Sequence, residues 1–405
     1  MIKILRLDFE TRSAAELSGQ ESVGLHNYMT HESTRALMLA YKMPGAKTVD
    51  IWFPHEGLMP AELRAAILDP DVLISAFNSA FERYALEYLC GIKLHPSRFT
   101  DPQVSCRYLT LPASLGEAGV ILGMPAHLLK SERGEELIEL FSKPHYTRKK
   151  KGEERKMFFN DWNTHPNEWL EFADYCIQDV IAEEEIARRC EILEALPLPP
   201  FERKLWIFDQ VVNDRGIPVD VEFVEKAYKL GVRAKEEAIA EQDAISGLEN
   251  SNSTTQLLPW VRQRGYPYNT LGKDFVDAVL KDPAIKLSEE CRKVLTLRRA
   301  AASTTYTKLA KILKQVSKDG RLRNQFIFMG STRCARWSGN AVQLHNMARP
   351  DKTFESHKNL VDARALIRAE DYEGIKERFK DAKTGKPGSV LLVIKNCIRT
   401  VFIAP

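Results

Sequence analysis

Two regions in series are predicted: an α/β domain over residues 1–195, then a mainly helical region to residue 405. Three observations carry this. Short apolar, β-rich runs at 2–9 and 72–77 are followed by amphipathic helical patterns. The stretch Leu196-Pro197-Leu198-Pro199-Pro200 stops any helix that precedes it. Beyond it helical periodicity dominates.

Within the first region, residues 2–9 read as a strand and residues 72–77 as a short central strand with a helix after it, over 79–89. Residues 168–193 are strongly helical, with Asn163, Thr164 or Asn167 as candidate caps. The charged run 145–156 has no periodicity and reads as an exposed loop. In the second region a helix is expected over 201–213, then a turn through Gly216 and Pro218. Asp220 should cap a long helix ending near Gly247. Residues 287–316 are helical, broken by Asp319-Gly320, and 321–329 alternate as a strand. Residues 351–388 form a charged, mostly helical segment.

Composition sets outer bounds. A hydrophobic fraction of 44% and a charged fraction of 28% are ordinary for a soluble globular protein of two or three domains. No apolar run reaches 18 residues, so no membrane span is expected. The seven cysteines are scattered without a CxxC pair, which reads as reduced thiols of a cytoplasmic protein without structural zinc. The net charge of +3 conceals an asymmetry: residues 291–350 carry thirteen Lys or Arg against Asp319 alone, +12, leaving −9 for the remainder. A segment this basic is the expected footprint of a phosphate backbone; the alternative is a solvated helix face that happens to be basic, but such faces usually mix signs.

Asp8 and Glu10 stand two apart on the first strand and so project from one face. Two charges on an otherwise apolar strand are costly unless a cation neutralises them. Asn78 and Glu82 are four apart near the start of the helix after the second strand. Tyr175 and Asp179 are four apart on one face of the long helix. Each pair alone reads equally well as a surface pair, and the information lies in their combination and order.

That order resembles the 3′→5′ exonuclease domain of the DEDD superfamily, in its tyrosine-bearing branch. The resemblance implies a ribonuclease H-like domain over 1–195, a mixed sheet flanked by helices. It also implies two divalent ions, Mg²⁺ or Mn²⁺, which suit hard oxygen ligands. By the same resemblance Asp8, Glu10, Glu82 and Asp179 hold the metals, Tyr175 with Glu10 orients the attacking water, and Asn78 contacts substrate or orients a ligand. Glu82 stands where many members carry Asp.

After the proline linker the chain resembles family A DNA polymerases. The run 209–220, which includes Asp209, Asn213, Gly216 and Pro218, is similar to the helix-turn opening their polymerase region. Asn252-Ser253-Thr254-Thr255-Gln256-Leu257 resembles a polar turn of their thumb, where the side chains bond phosphates or cap a helix. The strongest match is the run 330–347. The resemblance implies that Arg333 and Arg336 pair with phosphates, while Ser338, Gln343 and Asn346 bond sugars or base edges. Trp337 reads either as a stacking platform or as an anchor. The implied division is exonuclease 1–195, thumb-like helices 196–330 and a first piece of palm 331–405.

The expected function is proofreading: hydrolysis of single-stranded or frayed 3′ ends, together with a grip on primer-template duplex. The catalytic motifs that follow the Phe-x-Ala-Pro segment in this family are not found before Pro405. No polymerase active site is therefore expected in this chain; a second polypeptide carrying the rest of palm and fingers is favoured, beside a truncated or gene-interrupted fragment and a stand-alone exonuclease with a DNA-holding extension. The alternative is a non-catalytic DNA-binding subunit of a split polymerase. An RNase D-like RNA exonuclease explains residues 1–195 but not the remainder. The resemblance points to a bacteriophage or bacterial replication protein working in the bacterial cytoplasm.

Overall fold

The structure, a computed structural model, describes residues 3–128, 133–148, 154–302, 305–331, 334–382 and 384–404. The chain divides into two compact units: Met1–Gly216 with Arg321–Gln343, and Ile217–Gly320 with Leu344–Pro405. These units do not coincide with the 1–195, 196–330 and 331–405 division expected from the sequence. The helix after the proline linker and the stretch 321–343 group with the N-terminal residues.

The first unit is built on a five-stranded mixed sheet of order β3-β2-β1-β4-β5, made of Lys3–Arg12 (β1), Arg35–Lys42 (β2), Asp50–Trp52 (β3), Val72–Ser75 (β4) and Phe99–Thr100 (β5). The central β1 pairs antiparallel with β2 and parallel with β4. Its helices are Leu25–Met29 (α1), Ala61–Leu68 (α2), Ala80–Cys90 (α3), Pro102–Tyr108 (α4), Leu115–Ile121 (α5), Arg133–Ser142 (α6), Pro166–Ile192 (α7) and Pro200–Arg215 (α8).

Both faces of the sheet are covered. Leu5, Leu7 and Phe9 of β1 join Leu39, Tyr41 and Ile74 in one core with Tyr84, Ala85 and Leu86 of α3. Met38 and Ala40 of β2 face Trp169, Phe172 and Cys176 of α7 and Phe141 of α6. Leu37 also turns to this second face. The ladder slips between Glu10 and Thr11, which pair with Met38 and Ala36, so Leu37 is the extra residue of a β-bulge.

The second unit is helical: Val221–Ser246 (α9), Thr254–Arg262 (α10), Lys273–Lys281 (α11), Glu289–Ala301 (α12), Thr305–Gln315 (α13), His357–Arg368 (α14), Tyr372–Arg378 (α15) and Val390–Cys397 (α16). α9 starts and stops where the sequence places it. The Asp220 side chain accepts the Phe223 N–H at 3.2 Å, and Gly247 closes the helix in the left-handed conformation. Leu257, Trp260, Val261, Val276, Val279, Val294 and Leu295 form its separate core. Among the described residues no helix is long and apolar enough to cross a membrane.

Three local expectations are corrected. α7 begins at Pro166 behind His165, which makes no side-chain capping bond, so none of Asn163, Thr164 and Asn167 caps it; Pro at the first helical position needs no N–H. The run 145–156 is not simply a loop: His145–Tyr146 (β6) pairs antiparallel with Met157–Phe158 (β7), while 149–153 lie outside the described residues. The alternating stretch 321–329 yields only Arg321–Leu322 (β9) and Phe326–Ile327 (β10), after Ile217–Pro218 (β8). Positive φ angles at Asn324 and Met329 break its extended path.

Candidate metal centre

β1 supplies the first two candidate ligands by strand alternation. Leu7, Phe9 and Thr11 are buried, while Asp8, Glu10 and Arg12 lie between them on the opposite, half-buried face. Asp8 and Glu10 pair across to Ala40 and Met38, the residues that face α7. α7 therefore lays Tyr175, Cys176 and Asp179 against the two carboxylates. Asp8, Glu10 and Asp179 each offer an oxygen, and the three oxygens lie within 4.8 Å of one another.

Glu82 is not part of that tight trio. β4 ends at Ser75, aligned with Arg6, so the chain leaving it turns into α3 beside the second half of β1. Glu82 sits in the first turn of α3, 3% exposed, and its Oε2 is buried without a hydrogen-bond partner. Burial, and then the negative charge of Asp8, push its pKa well above the ordinary carboxylate range; the backbone amides of Glu82 and Phe9 pull the other way.

Tyr175 is buried and in contact with the same charges. Burial and the carboxylates of Asp179, Glu10 and Asp8 raise its pKa, so it remains a neutral phenol with a proton to donate. Its ring packs against Gly134 of α6: a Cβ there would stand 2.2 Å from Tyr175 Cε2.

Asn78 precedes α3 rather than lying within it, in the left-handed conformation that Asn tolerates, with an exposed side chain. Buried Asp101 holds this turn, accepting the N–H groups of Asn78 at 3.1 Å and Ser79 at 2.8 Å.

Several supporting residues escaped the sequence reading. The Cys176 thiol donates to the Asp8 Oδ2 at 3.5 Å. Arg6, two residues before Asp8, donates to Glu183 at 2.7 Å, and Glu183 also accepts from Ser75 Oγ. This buried triad joins β1, β4 and α7 one helical turn beyond Asp179. Glu183 at i+4 from Asp179 was the available signal.

The basic segment is described in each unit separately. Arg333 lies outside the described residues. In the first unit Arg336 is exposed, its Nε donating to Cys334 Sγ at 3.0 Å. Ser338 and Gly339 form β11, and Ser338 pairs with Ile327 of β10. Ala335, Ala341 and Gln343 all have positive φ, a dense run of strained backbone for non-glycine residues. Trp337 proves to be anchored: its indole N–H donates to Asp209 Oδ1 at 2.7 Å, and its ring meets Phe328 edge-on. Gln343 is exposed.

In the second unit Asn346 is exposed, and its carbonyl accepts from Lys308 at 2.8 Å. A cavity of about 310 Å³ is lined by Lys235, Asn252, Lys273, Arg298, Arg299 and Tyr306 among others. Part of the positive charge already has internal partners. Arg299 pairs with Asp277 at 2.5 Å, Lys293 with Glu241 at 2.5 Å, and Arg292 and Arg298 donate to backbone carbonyls.

No protein-family model matches the chain. A DNA polymerase of Bacillus phage SP02 is 30% identical over 403 residues, 99% of this chain; the chain spans 58% of that relative's length. Among solved structures, the POL domain of Pol1 from M. smegmatis, in complex with DNA primer-template and dNTP, aligns over 86% of this chain and 53% of its own, at 13% identity and a TM-score of 0.49.

Proposed function

We propose that the chain is part of a family A DNA polymerase and that residues 1–195 of its first unit form a 3′→5′ exonuclease that edits DNA ends; the 30% identity to a phage DNA polymerase supports the reading. The observation that carries the reading is the meeting of Asp8, Glu10 and Asp179 within 4.8 Å, with Tyr175 against them and Glu82 buried within reach of the Asp8 charge. The strand order β3-β2-β1-β4-β5 supports a ribonuclease H-like scaffold, with the carboxylates on the central strand.

The donor set fits hard divalent cations. Three gathered carboxylates repel one another, and the orphaned Glu82 oxygen lacks the partner that burial demands. Asp8, Glu10 and Asp179 would hold two Mg²⁺ or Mn²⁺ ions, with Glu82 completing the acidic lining. Bound there, the ions would supply Lewis acidity for phosphodiester hydrolysis.

The remaining work belongs to the chain's own groups. Tyr175 keeps its phenolic proton and with it can donate to an attacking water, whose position Glu10 shares. Cys176 restrains the Asp8 carboxylate. The Asp101 clamp presents Asn78 at the rim, toward a substrate. Arg333, Arg336, Ser338, Gln343 and Asn346 are proposed to hold primer-template DNA. The cavity bearing Lys235, Lys273 and Arg298 supports a sequence-independent, salt-sensitive grip in the second unit.

The test is a 5′-labelled primer with a mismatched 3′ end on a template, incubated with Mg²⁺ beside the Asp8→Ala variant. Stepwise shortening by the wild type alone is expected. A wild type that binds this DNA yet shortens nothing with Mg²⁺ or Mn²⁺ would overturn the exonuclease and leave a DNA-holding chain.

A further inference from the structure

We propose that Arg12 and Arg35 form a phosphodiester subsite beside the acidic cluster, holding a backbone phosphate of the single-stranded DNA end upstream of the bond to be cut. The proposal rests on the exonuclease reading and deepens it.

Arg12 follows Glu10 at i+2 on β1, on the same face and about 7 Å further along the strand. Thr11 between them points to the other face, where its Oγ1 meets the Tyr28 hydroxyl at 2.8 Å, and so fixes the alternation. Across the ladder Arg12 pairs directly with Arg35 of β2. Like charges in direct cross-strand register destabilise a sheet. Among the described residues neither arginine forms an ion pair. Arg35 Nη1 donates to the carbonyls of Glu32 at 2.8 Å and Thr34 at 2.7 Å, contacts that hold it without neutralising it.

The Arg12 guanidinium lies over the Phe159 ring, 5.0 Å from its centroid, and its Nε is buried without a hydrogen-bond partner. A buried donor of a charged group left unpaired is costly, and an anion with two free oxygens would relieve it. Asp161 attracts Arg12 from a distance but forms neither an ion pair nor a hydrogen bond with it; its Oδ1 accepts the N–H groups of Asn163 at 3.0 Å and Thr164 at 3.1 Å instead. Two arginines at paired positions on one face of the sheet match a phosphodiester, which offers one charge and two non-bridging oxygens. Along β1 the order acid, acid, cation then matches successive phosphates of one DNA strand: the first at the acidic cluster, the next on Arg12.

The experiment combines protein and substrate changes. Single-stranded oligonucleotides carrying one neutral methylphosphonate at each position near the 3′ end are digested by wild type and by Arg12→Gln. One position is expected to lower the wild-type kcat/KM about tenfold. Arg12→Gln should lose about tenfold on ordinary DNA and nothing further at that position. Anisotropy binding of the same DNA in EDTA should weaken, with the salt slope reduced by about one. Arg35→Gln, which leaves Arg12 in place, should show the same pattern at smaller size.

Additive losses at every position would overturn the proposal. So would weaker inhibition by thymidine 5′-monophosphate without any position-specific effect, which would assign the arginines to the released nucleotide. A wild type that digests DNA while both variants match it sinks the subsite alone; a wild type that neither binds nor digests sinks the exonuclease reading beneath it.

Discussion

The ring of Tyr175 occupies the space that a Cβ on Gly134 would need, with Cε2, Cδ2 and Cζ at 2.2, 2.7 and 2.8 Å from that position. Glycine in a helix ordinarily costs about 1 kcal/mol relative to alanine, so its place in α6 asks for a reason. The close approach lets Tyr175 reach the carboxylates on β1. On the proposed exonuclease reading, Gly134→Ala should displace the ring and lower the rate of 3′-end shortening by about 10²-fold while the protein still folds. Steady-state kinetics beside circular dichroism will check this; an unchanged kcat would show that the ring has room to yield.

Glu82→Gln separates charge from shape. A carboxyl whose folded pKa is raised stabilises the fold fully only below its unfolded pKa, and that contribution is lost as pH rises through the folded value. The uncharged amide avoids this loss, so in EDTA near neutral pH the variant should melt higher than wild type. Its affinity for Mn²⁺ should fall about 10- to 100-fold. Calorimetric melting and Mn²⁺ titration read the two effects; a lower melting temperature in EDTA would refute the electrostatic account.

Asp209 gives the fold a second pH-dependent element. Burial raises its carboxyl to about 6, against the pull of hydrogen bonds from Trp337, Gln210 and Asn213. The sign is the same: the advantage of the protonated form is present below pH 4 and disappears as pH rises through about 6. The swing is up to about 3 kcal/mol. Urea unfolding of Asp209→Asn should lose this slope between pH 4 and 6, and an unchanged slope would assign it elsewhere.

The Arg6–Glu183 pair is buried and hydrogen-bonded, and removing Glu183 leaves the buried Arg6 with only the partly exposed Glu184, at 3.6 Å, to offset its charge. Glu183→Ala should destabilise by about 3–5 kcal/mol in urea, with Glu183→Gln costing less. A cost below about 1 kcal/mol would mean that the register of α7 against β1 is set by packing alone.

Much of this was legible beforehand because it depends on near neighbours. Alternation placed Asp8 and Glu10 on one face, i,i+4 spacing placed Tyr175 with Asp179, and Asp220 and Gly247 marked the ends of α9. The β6–β7 hairpin and the His165 start of α7 were not legible, since ladder partners and the proline-led start outrank local propensity. The stretch 321–329 misled for a different reason: its alternation is real, but positive φ at Asn324 and Met329 bends it out of a strand. The +12 charge of residues 291–350 likewise overstated the free surface, because Arg292, Lys293, Arg298 and Arg299 already have internal partners.

The sequence by itself determined which side chains are available for chemistry and which face of its own strand or helix each one occupies, because those periods are set by backbone geometry within a few residues. Only the tertiary structure decided that Asp179 reaches Asp8 and Glu10, that Glu82 is buried within reach of the Asp8 charge, and that Gly134 makes room for Tyr175. Those relations join residues as many as 171 positions apart. They follow from the packing of β1 between β2 and β4 and under α7, which no local pattern encodes.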